Sequence, residues 1–506
     1  MKKLFFIPLI GATALTAQNQ KKPNVIVVIA DDLGYGDVSA YGSKTIQTPN
    51  IDRLANGGIS FTNGYATSAT STPSRYALFT GMYPWKNDGA KILPGDAPLL
   101  IDVNQFTLPK MMKQAGYSTA AIGKWHLAIG TGKTHCNKKV PPGANEIGFY
   151  SSFLSPAAVD RVPTVYIKNG YVDNLDPKDP IYVNYNKNFE GEPTAFTNPE
   201  MLKMNWSHGH NNSVMNGIPR IGFQKGGKNA YWVDEDMAQV LVNEVDAFLE
   251  EKQNEPFFLY YGLHQPHVPR TPNSKFVGKS GMGPRGDAIL EADWCIQELL
   301  ANLDKRHLLE NTIIIFSSDN GPVLNDGYYD NAVELLGNHK PASNLRGGKY
   351  SLFDAGTRVP FFVYWKAAIK PKVSNALVCQ MDILASLSTL LKQPLKGNFD
   401  SQNILPALLG KSKKGRTELV VEANGKMALR YKKWALIPPY KGPERNDTGN
   451  ELGNLPDFGL YNLKSDEGQQ KNAAQSNKKT LSKLKKIFFK EAKGYYKFKV
   501  EEIELK

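Results

Sequence analysis

Apolar residues are spaced in two ways along this chain. Five runs are continuously or almost continuously apolar: Val25–Ala30, Thr119–Ile122, Phe257–Tyr261, Ile313–Phe316 and Val359–Trp365. Such runs, as opposed to alternating ones, predict strands covered on both faces. Elsewhere the period lengthens to that of a helix. Met237, Leu241, Val245 and Phe248 share one face of 236–251, and Ile289, Ala292, Ile296, Leu299 and Leu303 share one face of 288–303. Strands alternating with amphipathic helices predict an α/β fold around a large, mostly parallel sheet. Residues 130–230 are rich in Pro, Gly, Asn and Lys and show little periodicity, which predicts long loops laid over a sheet edge.

The pattern changes after about residue 400. Residues 427–437 read as a hairpin turning at Lys432-Lys433, Gly459–Leu463 as a further strand, and a basic helix follows from about Lys479. The expected organisation is a main α/β part over 18–400. A small α+β part, an antiparallel sheet with a terminal helix, follows over 401–506.

The start of the chain reads as a secretory signal peptide over 1–17. Met1-Lys2-Lys3 is basic, Leu4–Ile10 is apolar apart from Pro8, and small residues follow at Ala12, Ala14 and Ala17. A cut between Ala17 and Gln18 gives the usual length, although Ala12-Thr13-Ala14 fits the small-x-small pattern better. The segment is too short to cross a bilayer, no lipobox cysteine follows, and no later apolar run is long enough to span one. The expectation is a secreted chain, in a bacterium a periplasmic one, without stable membrane insertion. Only Cys136, Cys295 and Cys379 occur, which argues against a disulfide framework. Cys295 falls in a helical pattern and reads as core, and a bridge between the other two stays open.

The formal charge is +13. Its sign suits an anionic partner, but much of it lies in Lys478-Lys479, Lys483, Lys485 and Lys486, which read as a solvated helix face. No nucleic-acid module is recognisable, so nucleic acid is not an expected partner.

Polar clusters follow the predicted strands, where open parallel sheets bind ligands. The first strand runs into Asp31-Asp32, and the fourth, through Ser317-Ser318, into Asp319-Asn320. Adjacent buried carboxylates repel unless a cation or proton intervenes. Four hard oxygen donors suit Ca²⁺, or Mg²⁺ as the alternative, and the set lacks the Cys and His typical of structural zinc. The second strand leads to Gly123-Lys124-Trp125-His126, and the third to His264-Gln265-Pro266-His267-Val268-Pro269. Arg346-Gly347-Gly348-Lys349 precedes the fifth, and Ser71-Thr72-Pro73-Ser74-Arg75 stands at the mouth of a helix. Taken singly, each has an ordinary reading as a turn, a surface loop or a helix N-cap. Together they supply metal ligands, cationic anchors, proton carriers and a nucleophile, the equipment for displacement at sulfur or phosphorus.

In this order the clusters resemble those of the type I, formylglycine-dependent sulfatases of the alkaline phosphatase superfamily. Thr80-Gly81 and Leu460-Tyr461-Asn462-Leu463 extend the match. The resemblance implies an alkaline phosphatase-like sheet sandwiched by helices and hydrolysis of sulfate esters. It implies that Ser71 is oxidised to formylglycine, and that Asp31, Asp32, Asp319 and Asn320 hold Ca²⁺ with residue 71 as a further ligand. Arg75 and Lys124 would steady the hydrated aldehyde, and Lys124, His267 and Lys349 would grip the sulfate. His267 would serve the leaving alkoxide, and His126 would take the proton whose loss expels sulfate. Two departures are visible. Serine replaces cysteine at position 71, which implies an anaerobic radical S-adenosylmethionine maturase as a partner. The acidic-Gly-Gly stretch after the late lysine reads Asp354-Ala355-Gly356.

The expected substrate is an O-sulfated carbohydrate, with a lean towards galactose or N-acetylgalactosamine sulfate. His208, His210, His264, Asn325, Asp326 and His339 are the candidates for the sugar subsite. The rival readings are a phosphoester or phosphonate monoester hydrolase of the same superfamily and a non-catalytic, glycan-binding relative.

Overall fold

The computed structural model describes residues 22–132 and 136–500. The segment read as a signal peptide, 1–17, lies outside the described residues. Ten strands form one sheet. From one edge to the other they are Lys372–Cys379, Ile59–Tyr65, Phe361–Tyr364, Thr312–Ser318, Asn24–Ala30, Phe257–Gly262, Ser118–Lys124, Ser151–Ser155, Ile167–Lys168 and Tyr171–Val172. Phe361–Tyr364 and Ile167–Lys168 run against the other eight.

The unbroken apolar runs form the middle of this sheet because both of its faces are buried. Val25, Val27 and Ile29 point to the side covered by the helices Ser71–Thr80, Leu108–Gln114 and Ile383–Leu390. Ile26, Val28 and Ala30 point to the side covered by Pro49–Gly57, Met237–Lys252 and Gly283–Lys305. Three expected strands come out longer than their apolar runs at the carboxyl end, reaching Lys124, Gly262 and Ser318. The fifth is shorter than expected, Phe361–Tyr364 instead of Val359–Trp365. Register then aligns the ends: Ala30 pairs with Ser318, Ile29 with Gly262, and Gly262 with Gly123. Two glycines meet at that last position because nothing larger fits. A Cβ on Gly123, whose φ is +100°, would stand 2.0 Å from the Gly262 carbonyl oxygen.

The C-terminal strands Glu418–Ala423, Lys426–Tyr431, Trp434–Ile437 and Gly459–Asn462 form a separate antiparallel sheet, followed by the helix Lys478–Glu491. The hairpin turns at Lys432-Lys433 as expected, with Lys432 in the left-handed region. This sheet bears directly on the main one. Glu422 N donates to Thr67 O and Ala69 N donates to Glu422 O, both at 2.9 Å, just before Ser71. Cys295 is core as expected, and Cys379 is a free buried thiol, so no bridge joins it to Cys136. No helix among the described residues is long and apolar enough to cross a membrane.

Candidate active site

Ser71 is reached through a strand the apolar pattern did not reveal. Ile59–Tyr65 ends at the same edge as the central strands, and the chain turns there into the helix Ser71–Thr80. Ser71 is not the cap of that helix. Thr70 is the N-cap, in extended conformation. The Ser71 hydroxyl points away from its own backbone: Oγ lies 3.3 Å from Asp31 Oδ1 and 3.5 Å from Asn320 Oδ1, and it accepts from Lys124 Nζ at 3.2 Å.

The expected metal ligands converge around it. Asn320 Nδ2 donates to Asp32 Oδ1 at 2.7 Å, and the Asp32 amide donates to Asp319 Oδ1 at 3.3 Å. Asp31, Asp32, Asp319 and Asn320 are all essentially inaccessible to solvent. Burial, reinforced by the neighbouring carboxylates, pushes Asp31 and Asp32 above the usual carboxylate range against the pull of Lys124 and Lys349. Burial would raise Asp319 too, but Arg75 and Lys124 outweigh it and hold its carboxyl low. A cluster of this composition fits a hard divalent cation. Asp31 and Asp32 are also joined by His267, their ligand atoms lying within 4.8 Å of one another.

Cations frame the carboxylates. Arg75 Nη2 donates to Asp319 Oδ2 at 2.7 Å, and the same guanidinium donates to Lys124 O and to the Tyr260 hydroxyl. Lys124 is ion-paired with Asp31. Lys349 bridges Asp32 at 2.9 Å and Asp326 at 2.7 Å. Burial disfavours its charge, but the two carboxylates prevail and raise it well above the usual lysine value.

The two histidines differ in their surroundings. His267 Nδ1 donates to Val268 O at 2.5 Å, which leaves Nε2 as the acceptor nitrogen of the neutral ring, 3.8 Å from Asp32. His126 adopts φ +53°, and neither ring nitrogen has a partner among the described residues. Its backbone carbonyl accepts from Thr72 Oγ1 at 2.8 Å, which ties this loop to the Ser71 helix. Burial, followed by a nearby lysine in each case, pushes both rings well below the usual histidine range. Both rings are therefore neutral.

A narrow pocket opens over Ser71, His126, His267 and Lys349. Its wall adds His210, Asp326, Asp160, Arg161, Tyr350 and Ile92. Of the sugar-subsite candidates, His210 and Asp326 thus line the pocket. His210 Nε2 lies 3.0 Å from Asp160 Oδ2, and its ring packs so closely on Gly327 that a Cβ there would stand 1.9 Å from Nδ1. Asn325 accepts from Ser207 Oγ and His208 is half-buried, and neither is part of the pocket wall. His264 is buried with its Nδ1 unpartnered, and burial first, then Lys124, lowers it to about 3. His339 is not at the pocket, because its Nε2 bonds Asp37 at 2.7 Å and its Nδ1 bonds Thr45. Asp160, Arg161 and Tyr350 were not anticipated. Tyr350 adjoins Lys349, and Asp160-Arg161 follow the strand Ser151–Ser155, whose short Ser-rich sequence gave no apolar run.

Comparison with known proteins identifies the family. The family model described as Sulfatase matches residues 23–393. The chain is 49% identical over 475 residues to an N-acetylgalactosamine-6-O-sulfatase of Bacteroides thetaiotaomicron, covering 93% of each. It is 28% identical to human arylsulfatase A, covering 92% of this chain and 87% of the relative. A solved Bacteroides thetaiotaomicron structure from work on the metabolism of multiple glycosaminoglycans superposes with a TM-score of 0.91 at 48% identity, over 93% of this chain and 99% of that one.

Proposed function

Because the chain belongs to the sulfatase family and is a sulfuric ester hydrolase, we propose that it removes the 6-O-sulfate of N-acetylgalactosamine in a glycan. The observation that carries this reading is the setting of Ser71, whose hydroxyl lies among Asp31, Asn320 and Lys124 at the floor of the pocket. The substrate follows from the 49% identical relative that bears that activity in its name. Residues Asp160, Arg161 and His210 at the pocket wall are suited to hydrogen-bond sugar hydroxyls.

Residue 71, matured from serine to formylglycine, would supply the attacking hydroxyl. Asp31, Asp32, Asp319 and Asn320 would hold a divalent cation, Ca²⁺ or alternatively Mg²⁺, which when bound supplies positive charge beside the sulfate oxygens. Arg75 fixes Asp319 and the Lys124 carbonyl, so it positions the ligand set from below. Lys349 lines the pocket and Lys124 lies beneath it at the Ser71 hydroxyl, and the two would serve as cations for the sulfate. His267 presents Nε2 on the Asp32 side, from which the ring, once protonated, would serve the leaving sugar oxygen. His126, neutral and without a hydrogen-bond partner among the described residues, would accept a proton from residue 71. A secretory leader, periplasmic location and a radical S-adenosylmethionine maturase complete the proposal.

The test is sulfate release from N-acetylgalactosamine 6-sulfate against its 4-sulfate isomer. Preference for the 6-sulfate by at least about tenfold is expected, since a misplaced sulfate leaves buried charged groups unpaired. Equal turnover of the two isomers would refute the assigned position.

A further inference from the structure

The pocket wall holds a carboxylate that should oppose an anionic ligand. Asp326 is buried there and lines the pocket together with Lys349 and Tyr350. Like charges repel strongly where water is scarce, so an acidic side chain at this place needs restraint if sulfate is to bind. Two neighbours supply it. Lys349 Nζ donates to Asp326 Oδ2 at 2.7 Å, and the Tyr350 hydroxyl donates to Oδ1 at 2.9 Å. Each oxygen thus has a donor from the protein. Asp160 on the same wall differs, because its Oδ1 has no hydrogen-bond partner among the described residues.

Tyr350 provides its bond from an unusual backbone conformation. Its φ is +72°, in the left-handed region that bulky side chains rarely enter. Strained backbone of this kind persists where surrounding bonds hold it, and it gathers at functional sites. The bonds here lie at both ends of the residue. The Tyr350 amide donates to Ala69 O at 3.0 Å, in the segment that leads to Ser71, while the hydroxyl reaches Asp326. Burial, and then the Asp326 carboxylate, push the phenol well above its usual value, so it stays protonated and remains a donor.

Resting on the sulfatase reading above, we propose that Tyr350 is a positioning residue whose hydroxyl holds Asp326 against Lys349 and so keeps a negative charge from opposing sulfate in the pocket. In this role Tyr350 acts through Asp326 and sets how tightly the pocket takes an anion.

The test compares wild type with Tyr350→Phe, which keeps the ring and removes the donor, with Asp326→Asn, and with the double variant. Inorganic sulfate is titrated by calorimetry into each matured protein in Ca²⁺ buffer, and kcat and KM are measured on N-acetylgalactosamine 6-sulfate. Tyr350→Phe leaves Oδ1 without its donor and free to face the anion. It should raise the sulfate Kd and KM about tenfold and change kcat by less than about threefold. An amide at position 326 can still accept from Lys349 but carries no charge. Asp326→Asn alone should therefore bind sulfate no more weakly than wild type, and the double variant should match it within about twofold. A tyrosine with a merely structural role would cost the same whether residue 326 is charged or neutral. A tenfold loss from Tyr350→Phe that persists beside Asp326→Asn, or no loss from Tyr350→Phe at all, would overturn the proposal. So would weaker sulfate binding by Asp326→Asn alone, a measurement that decides the matter even if Tyr350→Phe does not fold. Failure of the substrate reading would appear separately, as proteins that bind sulfate in the expected order yet release none from the sugar.

Discussion

Ser71 owes its surroundings to residues distant in sequence, since Asp31 lies 40 positions before it and Asn320 lies 249 after it. The hydroxyl is otherwise an ordinary one, and that makes its removal informative. Ser71→Ala deletes one buried oxygen, so the fold should persist by circular dichroism while sulfate release falls roughly 10⁴-fold or more. Retained turnover would remove residue 71 from the chemistry. His126 makes a different prediction, because its ring has no structural bond to lose. His126→Ala should lower turnover by about 10²–10⁴-fold. If the ring takes the proton that releases sulfate, intact mass spectrometry should also detect a sulfated protein adduct. A slow first step without any adduct would contradict that role.

The elements explain both what could be read from the sequence and what could not. Central strands such as Asn24–Ala30 and Thr312–Ser318 were legible because burial on both faces demands unbroken apolar runs. Ile59–Tyr65 and Lys372–Cys379 were not. Their sequences, ISFTNGY and KVSNALVC, mix polar residues into half-exposed positions near the sheet edge. The acidic cluster around Asp31 and Asp319, and Ser71, were legible as short motifs, whereas Asp160 and Arg161 lie on a loop with no pattern of its own. His339 misled for the opposite reason. A buried histidine beside Asp37 and Thr45 has the same sequence appearance as one in a pocket. At this scale Gly123 is the position to test. Gly123→Ala would press a methyl group onto the Gly262 carbonyl and strain a φ of +100°, both at the strand end that carries Lys124. A loss of about 2 kcal/mol or more in chemical denaturation is expected, with reduced turnover in whatever folds. Unchanged stability would mean that the two strands can part at no cost.

The molecule as a whole joins its two sheets beneath the Ser71–Thr80 helix. Glu422 of the C-terminal sheet accepts from the Ser68 hydroxyl and from Gly425 N, and burial pushes its carboxyl up to about 7. A carboxyl raised above its unfolded value of about 4.3–4.5 favours the fold while protonated, so its contribution is present below that value and is lost as pH rises through about 7. Glu422→Gln should therefore flatten the decline of Tm between about pH 4.5 and 7 relative to wild type, and parallel curves would show that Glu422 does not titrate there. The carboxylate cluster adds a second global effect. Asp31 and Asp32 are pushed up by burial and then by the Asp319 carboxylate, so a chelator should lower Tm and abolish turnover, and Ca²⁺ should restore both. Full activity in chelator would remove the cation from the account. The claim on which the rest depends is that residue 71 is matured, and it can be weighed directly. In protein purified from its native host, the tryptic peptide Leu54–Arg75 should be two hydrogens lighter than the encoded serine form and should react with an aldehyde-trapping hydrazine. An unmodified Ser71 in native protein that still releases sulfate would contradict the account.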